Sequence, residues 1–161
     1  MPTTHFGFGT QLAADANTLV ATLGAIPLVG VLERSGDMNT AVQLLGDPSV
    51  ADVDQQLRFG SSCEVGCFTR NLSVRQPFLA VGEPAGTVGT FGAAGVATVS
   101  QRVSDHWFER GQLRSGAPRQ MGYVGMSVAL YANGLAIGAP GEGDDGGGAV
   151  FDAPLSPAAC E

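Results

Sequence analysis

Apolar residues along the chain fall into short runs, several alternating with small or polar residues, and the runs are separated by Gly, Pro, Asn and Asp. Val124, Met126, Val128 and Leu130 alternate with Gly125, Ser127 and Ala129, the period-two signature of a strand. A short apolar run follows, Leu135-Ala136-Ile137, and Gly138-Ala139-Pro140 closes it, because proline fixes φ and has no N–H to continue a ladder. Further strands are predicted near Gly95–Val103 and over Trp107–Leu113, joined by a turn at Ser104-Asp105 that matches Gly36-Asp37. Thr40–Leu45 is the corresponding fourth strand of the earlier segment, although Met38–Leu45 also admits a short helix. The pattern predicts four short strands per unit. In a radial sheet the innermost strand is crowded by its neighbours, which gives Gly125, Ser127 and Ala129 a reason to be small.

The units repeat. Phe8–Gly24 laid over Val124–Pro140 needs no gap and matches Gly9, Ala13, Ala16, Asn17 and Leu19 with Gly125, Ala129, Ala132, Asn133 and Leu135. Another copy begins at Phe59-Gly60-Ser61-Ser62 and reaches its second strand at Leu79–Pro84 after a longer first connection, Glu64 to Gln76. Val31–Asp37 aligns with Val99–Asp105, and the same offset carries Arg34 onto Arg102 and Leu45 onto Leu113. The unit starts Phe8, Phe59 and Val124 are 51 and 65 residues apart, longer than the roughly 20–45 residues of solenoid repeats and nearer the ~40–50 of propeller blades. One repeat domain, 1–161, is therefore expected to hold units at 8–58 and 59–123 and a partial unit at 124–152. Residues 153–161 are expected to be a frayed tail, because Pro154 and Pro157 remove ladder donors.

These residues carry a family resemblance. The openings Phe8-Gly9, Phe59-Gly60 and the variant Val124-Gly125 are followed by second strands closing in Gly138-Ala139-Pro140 or the variant Gly82-Glu83-Pro84. A third strand begins Gly148-Ala149-Val150. In that order they resemble FG-GAP repeats, the blades of integrin-α-like β-propellers, over nearly the whole chain. The first unit departs from the pattern, reading Thr22-Leu23-Gly24 at the GAP position. The resemblance implies an all-β fold of antiparallel four-stranded blades in an incomplete ring. It also implies a non-catalytic binding or adhesion module at the cell surface or outside the cell, with a protein or glycan ligand. The alternative is a structural propeller portion of a larger enzyme or surface protein, or a fragment without independent function. Either way, missing blades would come from a parent chain or from further copies.

Many members of the family hold calcium in an acidic loop between the first two strands, and calcium needs about six to eight oxygen ligands. The corresponding segments here, Ala14-Asp15-Ala16-Asn17 and Tyr131-Ala132-Asn133-Gly134, offer one carboxylate and none. Calcium binding is not carried over, and no cofactor is expected. Glu142, Asp144 and Asp145 lie one connection later and read as a solvated turn, with a weak cation site as the alternative.

Composition narrows the partners. Lys and Arg number 8 against 15 Asp and Glu, a formal net charge of −7, which opposes phosphate backbones and anionic membrane surfaces. The uncharged stretch Ala16–Leu32 is short of the ~18 residues of a membrane span and is broken by Gly24, Pro27 and Gly30. Met1–Asn17 has no Lys or Arg for a signal-peptide n-region, so no export signal is expected in this chain. Gly141–Gly146 satisfies G-x-G-x-x-G, but the strand pattern at Gly148–Phe151 leaves no helix N-terminus to receive phosphate. Ser104-Asp105-His106 sets triad residue types side by side, where neighbours on a turn diverge. Cys63 and Cys67 either close a hairpin as a disulfide or stay free thiols, and with His5 and His106 far away they do not make a zinc site. Asn71-Leu72-Ser73 is a glycosylation sequon, relevant only in a secreted protein. Trp107 and Phe108 open a fourth strand, where one of them is expected to pack on the next unit.

Overall fold

Residues 8–23, 28–35, 38–46, 71–143 and 147–156 are described in the computed structural model. They contain eleven strands: β1 Phe8–Asp15, β2 Thr18–Leu23, β3 Leu28–Ser35, β4 Met38–Gly46, β5 Asn71–Arg75, β6 Phe78–Glu83, β7 Val96–Val103, β8 His106–Leu113, β9 Ser127–Tyr131, β10 Gly134–Ala139 and β11 Ala149–Pro154. No helix occurs among the described residues. The strands form two four-stranded antiparallel meanders, β1-β2-β3-β4 and β5-β6-β7-β8, and a three-stranded sheet β9-β10-β11. The fold is all-β, and its three sheets do not close into a ring.

Backbone detail repeats from sheet to sheet. The β3–β4 ladder slips between Val31 and Leu32, and the β7–β8 ladder slips between Val99 and Ser100, at the positions the sequence repeat equates. An extra residue in the fourth strand bends it in the same place each time. Each first hairpin also accepts a hydrogen bond from the third strand or its end: Arg34 N–H to Asn17 O at 2.8 Å, Arg102 N–H to Pro77 O at 2.8 Å, and Leu155 N–H to Asn133 O at 2.9 Å.

Side chains alternate between the two faces of each sheet, so one face can pack on the sheet before and the other on the sheet after. Val20, Val29, Val31 and Leu45 of the first sheet meet Val74, Leu79, Val81 and Trp107 of the second. Phe78, Ala80, Ala97 and Val99, on the second sheet's other face, meet Leu135, Ile137 and Ala139 of the third. Ala80 stands where Val20 does, two residues into the second strand, and Leu135 where Leu79 does. The same face of each unit therefore always packs on the opposite face of its predecessor. The sheets stack in one sense through β1, β5 and β9, with β5 against both of the others.

Several boundaries differ from expectation. Phe59, Gly60 and the first part of the predicted connection lie outside the described residues, but its last part is a strand: Asn71–Arg75 is the first strand of the second sheet. Leu72 and Val74 alternate with Ser73 and Arg75, and the two-residue turn at Gln76-Pro77 stands where Ala16-Asn17 does in the first sheet. In the third unit Val124 and Gly125 precede the first strand, which begins at Ser127. Ala153 and Pro154 belong to β11, which pairs with β10 as far as Gly134↔Pro154, and are not a frayed tail. Proline is tolerated there because β11 is an edge strand. Met38–Gly46 is a strand and not a helix.

Candidate functional site

The glycines of the predicted motifs sit mainly at the junction between the second and third sheets. A Cβ at Gly82 would lie 2.1 Å from Gly125 O, and one at Gly125 would lie 2.4 Å from Val96 O, with φ at +89°. Gly95 and Val124 form an isolated parallel bridge, supported by Val124 N–H to Ala94 O at 2.9 Å and Tyr123 N–H to Ala93 O at 3.0 Å. Crowding thus falls on these glycines. Ser127 and Ala129, expected to be small for that reason, are exposed instead, because they face the side of the third sheet that no other described sheet covers. Pro84 and Pro140 each follow the last residue of a second strand, Glu83 and Ala139. Gly138 sits in that second strand beside Ser127 Oγ. The side chains of Phe8 and Gly9, at the start of β1, lie outside the described set.

Glu142 does not behave as part of a solvated turn. It is 5% exposed, and its Oε2 lies 3.4 Å from Arg119 Nε. Arg119 also donates to Gly143 O at 2.8 Å. Sequence reasoning could not find this ion pair, because Arg119 comes from the connection after β8, a separate part of the chain. Asp144 and Asp145 lie outside the described residues. No group of three or more His, Cys, Asp or Glu comes together among the described residues.

At the hairpin ends, Asp15 Oδ2 accepts Gln76 N–H at 2.7 Å, and Gln76 also donates to Thr18 Oγ1. Asp15 therefore ties the first sheet to the second. Asn71 donates its side-chain amide to Met126 O, and Ser73 Oγ accepts Leu130 N–H at 2.9 Å; a glycan on Asn71 would sit against this contact with β9. Ser104 turns with φ at +55°, Asp105 lies 3.5 Å from Arg102, and the His106 ring lies 6.4 Å from Phe108. The three residue types do not converge. Gly141–Gly143 leads on to β11 and not to a helix. Cys63 and Cys67 lie outside the described residues.

Trp107 packs between sheets, but against the preceding unit and not the next one as expected. It is fully buried, and Gln43 of β4 grips its backbone, accepting Trp107 N–H at 2.8 Å and donating to Trp107 O at 3.2 Å. No described residue fills the corresponding place between the second and third sheets. There a groove of about 230 Å³ lies between the face of β8 and the outer edge of β11, beside which no described strand lies. It is lined by Phe78, Val99, Arg110, Gly111, Leu113 and Leu155, and Arg110 donates to Gln101 Oε1 at 2.9 Å.

No protein-family model matches the chain, and no curated protein matches it.

Proposed function

We propose that the chain is a set of FG-GAP-like propeller blades that binds a protein or glycan partner without catalysis, at the cell surface or outside the cell. The observation that supports this reading is the same-sense stacking of three repeat-equivalent meander sheets, bulged at matching positions. Radial repetition of four-stranded sheets is how propellers are built, typically with about 4–8 blades. The sheets missing from the ring are supplied by a parent chain or by further copies. Two measurements test the reading. Electron microscopy of the assembled protein is expected to show a ring of radial sheets, and a layered sandwich would overturn the propeller. A broad hydrolase screen is expected to show no turnover, and turnover abolished by His106→Ala would overturn the non-catalytic part.

A further inference from the structure

We infer that the groove between β8 and β11 is a strand-accepting site for a partner polypeptide bearing an aromatic residue flanked by an acidic one. The inference names a partner for the binding reading and rests on it. Its starting point is the first interface, where the equivalent place is filled. There β8 pairs with β7 as a fourth strand, and Trp107, opposite Arg102, lies against Val31, Gln43 and Leu45 of the first sheet. The repeat equates those three residues with Val99, Gly111 and Leu113, and equates Arg102 with Leu155. Val99, Gly111, Leu113 and Leu155 all line the groove.

The third sheet ends at β11, whose outer edge has no strand beside it among the described residues. An unpaired edge offers a row of N–H and C=O groups to an extended chain, and a pocket beside it selects the side chain. The groove is smaller than the roughly 300–1,000 Å³ of small-molecule sites, which suits one large side chain. Gly111 replaces Gln43 and has open space where a Cβ would stand, so an aromatic ring can approach the backbone more closely than Trp107 approaches the first sheet. The lining has one charged residue, Arg110, and β8 itself carries Glu109 two residues after its Trp. A strand of β8-like sequence therefore fits both the apolar and the charged features.

The probe is a synthetic peptide with the sequence of His106–Leu113, titrated into the full chain and followed by heteronuclear NMR and amide hydrogen exchange. Saturable shifts centred on Val99, Leu113 and Leu155 are expected, with slowed exchange along Ala149–Pro154. A W107A peptide should bind at least tenfold more weakly. Leu113→Asp in the protein should abolish binding, and Arg110→Glu, which also removes the Arg110 bond to Gln101 Oε1 at 2.9 Å, should weaken it several-fold while the chain stays folded. Absence of binding at millimolar peptide, or equal binding of the W107A peptide, overturns the strand site. The microscopy test of the ring does not depend on that result, so the binding-module reading fails or stands separately. Slow exchange at β11 that grows with protein concentration and blocks the peptide would identify a second copy as the occupant and overturn the commitment to a separate partner.

Discussion

A methyl group added at Gly125 has nowhere to go. It would meet Val96 O at 2.4 Å on a backbone with φ at +89°, so overpacking and left-handed strain act together. Gly125→Ala is expected to cost about 2–4 kcal/mol of stability. Gly92→Ala, with nothing within 4 Å of the new Cβ, should stay within about 0.5 kcal/mol of wild type. Urea unfolding of the two variants checks the contrast, and equal midpoints would mean that the junction is not tight. Tyr131 and Asp152 give a second prediction at this scale. The phenol is raised above its ordinary value, first by the hydrogen bond to Asp152, then by desolvation and by the carboxylate's charge. A raised acid stays protonated longer in the folded chain. The pair's contribution is thus present through neutral pH and is lost as pH rises past the ordinary phenol range and through the higher folded value. Phenolate absorbance of wild type against Asp152→Asn should show the variant ionising at lower pH. The motif glycines were legible in the sequence, but their role was not, because a repeat reveals that a position is small and not which neighbour crowds it.

At the scale of strands, the second strands of the later two units could be read from apolar runs closed by Pro84 and Pro140, and the third strand of the second unit from Gly95–Val103. β5 could not, because the Phe-Gly opening drew attention to residue 59 while Leu72 and Val74 supply only two apolar positions. The groove beside β11 was also out of reach, since it is defined by the lack of a fourth strand in the third sheet among the described residues. Trp107 was visible as a packing residue, but its clamp was not: Gln43 lies 64 residues away and binds backbone atoms. Trp107→Ala should cost about 3–5 kcal/mol, as large aromatic truncations in cores do. Trp107→Phe should cost clearly less, because the indole N–H is buried without a partner and its removal leaves no donor unsatisfied. Gln43→Ala strips both partners from the Trp107 peptide groups and should cost about 1–3 kcal/mol. Calorimetric or denaturant unfolding orders the three, and a Phe variant as unstable as the Ala variant would show that the indole nitrogen makes a bond that matters.

For the whole molecule, the decisive feature is that every inter-sheet contact runs front to back. The front of the first sheet carries Leu12, 59% exposed, and Leu44, 42% exposed, at the two ends of a cross-strand row whose middle, Ala21 and Gly30, is buried. The back of the third sheet carries Val150, 77% exposed, at the position that the fully buried Val29 and Ala97 hold in the other sheets. These two faces have the complementary identities of a further front-to-back contact. A contact between different surfaces of like molecules is heterologous, so it propagates into a ring or an open filament and does not stop at a dimer. The purified chain is therefore expected to show a mass that rises with concentration in light scattering. Leu12→Glu removes the front and Val150→Glu removes the back, and both positions are exposed enough for the fold to tolerate the change. Each variant alone should remain monomeric. Mixed in equal amounts they should form a one-to-one dimer that grows no further, because the intact back of the first variant meets the intact front of the second while the two outer faces are blocked. A wild-type chain that stays monomeric at high concentration, or a mixture that does not pair, would show that these faces are not each other's partners.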